Sequence, residues 1–171
     1  MKTALPIYLL ILLFCGCSKD HNKATPSTCN IEQVYSDNAK KITITNGVWG
    51  TVSSIEGDCM PTVPACNSCC RNCPVKRTVK IYEYTTVNDV VTNNPYGTFF
   101  DSFTTQLITQ VDTDEKGFFQ TNIPAGHYSI VVVEDGKLYA NTRDGQGGIS
   151  PFMLTAGTRN VNLTMTYNAT F

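Results

Sequence analysis

The chain has 171 residues, 42% of them hydrophobic and 16% charged, with eight cysteines and a formal charge of −1. That length suits one domain, and the balance of apolar to charged residues is that of a folded chain, not a disordered one. Thirteen basic residues against fourteen acidic, with no basic cluster denser than Lys76-Arg77, exclude a nucleic-acid partner held by electrostatics.

Met1 and Lys2 open a tripartite leader, and residues 4–14 (ALPIYLLILLF) form its apolar core. The run is too short to cross a bilayer, which takes about 20 residues, and has the length of a signal-peptide core. The following Phe14-Cys15-Gly16-Cys17 resembles a bacterial lipobox, with small Gly16 ahead of the cysteine that is lipidated and becomes the new N-terminus. Cys17 is the expected lipidation site, since bulky Phe14 would fill the small-residue position before Cys15; Phe14 in place of the usual leucine is the one departure from the pattern. The alternative is a secreted protein cleaved near the same place. Lipidation implies an anchor in the membrane, because two or more acyl chains hold a protein stably where one does not. By analogy with lipoprotein sorting, Ser18 after the cysteine implies an outer-membrane lipoprotein, facing the periplasm or the cell surface.

The expected division is therefore 1–16 signal peptide, 17–40 lipidated cysteine and flexible tether, and 41–171 β-sandwich. Residues 18–40 are polar around a Thr-Pro-Ser-Thr centre and read as a tether, with room for a short helix near residues 31–35. His21 belongs to this segment and reads as a solvated side chain.

Strand character starts at residues 41–45 (KITIT), where Ile42 and Ile44 alternate with polar neighbours. After an Asn46-Gly47 turn it continues over 48–55, with Val48 and Val52 on one face and Trp49 and Thr51 on the other. Trp49 reads as a core or sheet-covering residue, with an exposed ligand platform as the alternative. From residue 56 to 77 the pattern stops in favour of three prolines and five cysteines, which reads as a long loop. Strands resume at 78–86 (Val79 and Ile81 inward), a turn-rich connection spans 86–97, and 98–111 has length for one bent strand or two short ones.

Asp112 to Gly117 reads as a turn, after which Phe119, Thr121 and Ile123 point inward, then Tyr128, Ile130 and Val132. Glu134-Asp135-Gly136-Lys137 is a two-residue hairpin signal, because both central positions need φ > 0. The implied register sets Glu134 opposite Lys137, Val133 opposite Leu138 and Val132 opposite Tyr139, pairing charge with charge and apolar with apolar. A turn at 143–148, a strand at 149–154 and a last strand at 161–167 complete the chain.

The run Thr113-Asp114-Glu115-Lys116-Gly117-Phe118-Phe119, followed by Ile123-Pro124-Ala125-Gly126-His127-Tyr128-Ser129-Ile130, resembles the signature of carboxypeptidase-regulatory-like domains. The resemblance implies an all-β fold: a single Ig-like or transthyretin-like antiparallel sandwich of about seven to eight strands. It also implies a non-catalytic accessory or binding module with a protein or glycan ligand and no cofactor; the namesake peptidase activity belongs to a different domain. The cysteine-rich loop and the long 86–111 segment depart from the pattern.

Six cysteines remain beyond the leader: Cys29, Cys59, Cys66, Cys69, Cys70 and Cys73. In an oxidising compartment they are disulfide candidates, in fifteen connectivities that sequence does not choose among. Adjacent Cys69 and Cys70 are poorly placed to join each other, since their α-carbons lie about 3.8 Å apart. The preferred reading has Cys59 closing onto the 66–73 cluster and Cys29 pinning the tether to it. Two alternatives stay open: a metal site of Cys66, Cys69, Cys70 and Cys73, whose abutting pairs lack the spacing usual for zinc, and a thiol-redox loop, which lacks a visible strand and helix.

Asp112-x-Asp114-x-x-Gly117 brushes against a calcium-loop pattern, but Lys116 stands in a ligand position and no closing glutamate follows. A turn is the better account. His127 has no serine or cysteine arranged near it in sequence, and G-x-S-x-G is missing, so no catalytic constellation is expected.

Overall fold

The computed structural model describes residues 29–66 and 68–171. The leader, Cys17 and His21 lie outside the described residues. The fold is an all-β sandwich with one short helix.

The helix, α1 (Ile31–Ala39), starts where Asn30 caps it by accepting a hydrogen bond from the Gln33 backbone N–H. Nine residues make a marginal helix on their own, so tertiary contacts must hold it. Asn38 is fully buried and donates from Nδ2 to Thr51 Oγ1 and to the Lys116 carbonyl, each at 2.9 Å. Residues 29–40, read from sequence as the end of the tether, are thus part of the folded domain. The signal was present: Asn30-Ile31-Glu32-Gln33 has the spacing of a capping box.

The first sheet is built around β1 (Gly47–Asp58), which has two partners in succession on each side. On one side lie β12 (Thr158–Asn160) and β13 (Leu163–Thr170), both parallel to β1. On the other lie β8 (Phe118–Thr121) and β2 (Cys70–Pro74), both antiparallel. Where β12 gives way to β13, the Val161 N–H donates to the Trp49 carbonyl and Asn162 Oδ1 accepts from the Thr51 N–H, so a side chain bridges the break in the ladder.

The second sheet runs β5 (Phe99–Phe100), β10 (Lys137–Tyr139), β9 (Gly126–Glu134), β3 (Thr78–Glu83), β7 (Leu107–Asp112), with β11 (Pro151–Leu154) also on β9. A separate short pair joins β4 (Val90–Val91) to β6 (Ser102–Phe103). The sandwich departs from the expected one in two respects. Among the described residues it has thirteen strands, because breaks such as that at Asn162 divide single rows into short pieces, and it is mixed, because the chain's last segment returns alongside β1 in the same direction.

Two clusters of buried side chains result. Between the sheets, Val48, Val52, Phe119 and Met165 meet Val79, Ile81, Ile130 and Val132. On the far face of the second sheet, Tyr82, Val131 and Leu138 are covered by Phe100, Phe103 and Ile149. β9 is therefore buried on both faces, which alternation alone does not reveal. Phe100 and Phe103 of this cover come from the 86–111 segment.

The hairpin forms in the expected register, Glu134 to Lys137, Val133 to Leu138 and Val132 to Tyr139, with Asp135 and Gly136 at φ 49° and 78°. Two readings are corrected. Residues 42–44 are not a strand: Thr43 is held by the Gln120 side-chain amide at 3.0 and 2.8 Å, so no backbone ladder forms there. The segment from 56 to 77 is not all loop, because β1 runs on to Asp58 and β2 pairs back onto it; only residues 59–69 connect them.

A disulfide-stapled finger as candidate functional site

The second half of β1 lies between β13 and β2, and all of β2 folds back along it as a finger at the end of the first sheet, in register from Ser53 opposite Pro74 to Gly57 opposite Cys70. Gly57 is required there: at φ 98° it lies so close to the start of β2 that a Cβ would fall on the Cys69 carbonyl oxygen. Glu56 and Arg71 pair across the strands at 2.7 Å, but both are well exposed and the bond adds little.

Disulfides do more. Cys29–Cys73 ties the residue before the helix cap to β2, Cys59–Cys70 closes the end of the finger, and Cys66–Cys69 lies in the connection beyond it. Their sequence separations are 44, 11 and 3 residues. If each restrains the unfolded chain according to loop length, they contribute about 4, about 3 and under about 2 kcal/mol. Adjacent Cys69 and Cys70 take different partners. Cys66, Cys69, Cys70 and Cys73 are divided among three bridges, so the four-thiolate set needed for the metal reading is not assembled.

Beyond the last ladder pair the connection is open to solvent. Val63, between Pro61 and Pro64, is fully exposed, and Met60, just before Pro61, is 49% exposed. Local hydrogen bonds shape this tip: Asp58 Oδ1 accepts from the Met60 N–H at 3.0 Å, and Thr62 Oγ1 accepts from the Cys66 N–H at 3.1 Å. Apolar side chains held out on a stapled loop are suited to contact with another molecule.

No protein-family model matches the chain, and no curated protein or solved structure does.

The other candidates serve the fold. Asp114 Oδ1 accepts from the Lys116 and Phe118 N–H groups while Oδ2 pairs with Lys41 at 2.7 Å. Burial opposes its ionised form, but Lys41 and the two N–H groups outweigh it and hold the carboxyl below its usual value. Asp112 accepts from the Thr78 hydroxyl at 2.6 Å. The two acids of the calcium-like pattern therefore have internal partners, and no group of three or more metal-ligating side chains occurs among the described residues. His127 is exposed and stacks on Tyr84 at 4.0 Å, and Tyr84 in turn donates to Asp144 at 2.7 Å. Trp49 is half-buried in β1.

One buried ionic site was not visible in the sequence. Glu134, 5% exposed, does not pair with Lys137. It accepts a bidentate contact from Arg77 and a hydrogen bond from Tyr167, at 2.5 Å, while Lys137 turns to Asp101 at 3.2 Å. The hairpin register was legible because it depends on neighbours in sequence; the ion partner was not, since Arg77 lies on another strand's approach. The Arg77 guanidinium holds the Glu134 carboxyl below its ordinary value of 4.5, against the opposing effect of burial. A carboxyl lowered in the folded state stabilises above its unfolded value and loses that stabilisation as pH falls through the folded one. Stability should therefore decline as pH drops below about 4.5, and Glu134→Gln should flatten this part of the profile. Urea midpoints at about pH 5 and about pH 3 check it, and an equal drop in both proteins would remove Glu134 from the account.

Proposed function

We propose that this chain is a lipid-anchored, non-catalytic envelope module, acylated at Cys17 and held at the outer membrane, which presents the stapled finger of its β-sandwich to a protein or glycan ligand. The observation that carries the reading is the closure of all six cysteines beyond the leader in three disulfides, which fits an oxidising compartment and the lipobox-like leader ending at Cys17. The resemblance to carboxypeptidase-regulatory-like domains supports a binding role. In that stretch Thr113 is buried with its hydroxyl on the Arg77 N–H, and Phe119, Ile123, Tyr128 and Ile130 lie in the core, so those residues build the scaffold. Residues 59–69, outside that stretch, are where a ligand would be met.

Full-length protein produced in a bacterial envelope should incorporate labelled palmitate, lose it on Cys17→Ser, and have a mature mass six hydrogens below that of the reduced form. A chain without label would favour a secreted protein, and free thiols holding a metal would favour a metal-binding loop; either result would overturn the reading. Binding to envelope glycans or proteins should weaken in a Met60→Ser/Val63→Ser variant that keeps its melting temperature.

A further inference from the structure

The three disulfides differ in what they fasten. Cys29–Cys73 joins the lead-in of α1 to β2, and Cys59–Cys70 holds the last rung of the finger, next to Gly57 opposite Cys70. Cys29 and Cys73 are both partly buried, and in Cys59–Cys70 one end, Cys59, is partly buried while Cys70 is exposed. Cys66–Cys69 fastens no pair of elements. Its two cysteines are exposed, stand three residues apart, and lie beyond the ladder and outside both hydrophobic clusters. The position of Cys69 does not depend on the bridge, since its carbonyl packs on Gly57 and β2 begins at the next residue.

Access of an incoming thiolate governs exchange, and exposed disulfides are the labile ones. A bridge that spans so few residues also restrains the unfolded chain least, so opening it removes least from native stability. We propose that Cys66–Cys69 is a thiol–disulfide exchange site for an external dithiol, opening and closing while the sandwich and the other two bridges stay intact.

The exchange balances as follows in atoms and electrons. One thiolate of the dithiol attacks the sulfur of Cys66, forming a mixed disulfide and expelling Cys69 as a thiolate. The second sulfur of the dithiol, deprotonated, attacks its own partner sulfur in the mixed disulfide and releases Cys66 as a thiolate. The dithiol leaves as a disulfide, and two electrons and two protons have passed to the cysteine pair. An external disulfide drives the reverse. The site is distinct from ligand binding at the tip, although the same connection carries both.

The test is a dithiothreitol titration of the full-length protein in detergent, with free thiols trapped by iodoacetamide and located by peptide mass mapping, and melting followed in parallel. Cys66 and Cys69 should be labelled first, at a dithiothreitol concentration at least tenfold below that needed for the other four cysteines, with melting lowered by only a few degrees. A Cys66→Ser/Cys69→Ser variant should fold, melt within a few degrees of the parent and lack this first wave. Labelling of all six cysteines in one wave, earlier opening of either other bridge, or failure of the double variant to fold would each overturn the proposal.

Discussion

A Cys29→Ser/Cys73→Ser variant should lose about 4 kcal/mol of stability and, with it, the docking of α1. The bridge spans 44 residues, the longest of the three, so its loss frees the unfolded chain most. The native side loses as well. α1 has nine residues and little to sustain it alone, and Asn38, its buried residue, depends on arriving over Thr51 to find partners for its amide. If the helix lifts, Thr51, buried on the outer face of the first sheet beneath Asn38, meets water. Denaturant midpoints under non-reducing conditions give the stability change. Amide exchange locates it: residues 34–39 should exchange faster, while β9, buried on both faces, keeps its protection. Unaltered exchange in α1 would show that the helix is held without the bridge.

Phe100→Ala should cost about 3–5 kcal/mol. Phe100 is fully buried, with Phe103 edge-on at 5.5 Å and Arg143 over its ring at 5.4 Å. It stands in the segment between β3 and β7, which sequence suggests to be turn-rich connection followed by an ill-defined strand. In the structure β5 extends the second sheet beside β10, and the rest of the segment folds against it: the Asp101 N–H donates to the Val91 carbonyl and the Thr104 N–H to that of Asp89, which brings Phe100 and Phe103 into one cluster with Val131 and Leu138. Tyr96, 82% exposed in the same segment, is the control, and Tyr96→Ala should change stability by less than about 0.5 kcal/mol. A Phe100→Ala effect as small as that of the control would mean that the segment is not part of the cooperative unit.

The elements legible in the chain were those whose cause is local. Asp135-Gly136 specifies its turn because only those two φ values satisfy it, and the flanking residues then fall into register. Val79, Ile81, Ile130 and Val132 reveal themselves by a period of two, since one face of each strand meets the core. The same logic failed at Ile42 and Ile44, where alternation is present but the neighbouring Gln120 side chain takes the place of a backbone ladder. It failed again at β2, where Cys-Arg-Asn-Cys-Pro has no apolar face to display; only the adjacent β1, carried past the core to Asp58, makes those residues a strand.

The sequence by itself determined the β class of the chain, the turns, most of the inward-facing residues and the six cysteines available to pair, because side-chain alternation, glycine conformation and residue chemistry act over a few bonds. Tertiary structure decided which cysteine meets which, that Glu134 answers to Arg77, that the last strand lies parallel to β1, and that the 86–106 segment covers a second face. Each of these joins residues distant along the chain, and their choice follows from which surfaces are left to cover once the sheets have formed.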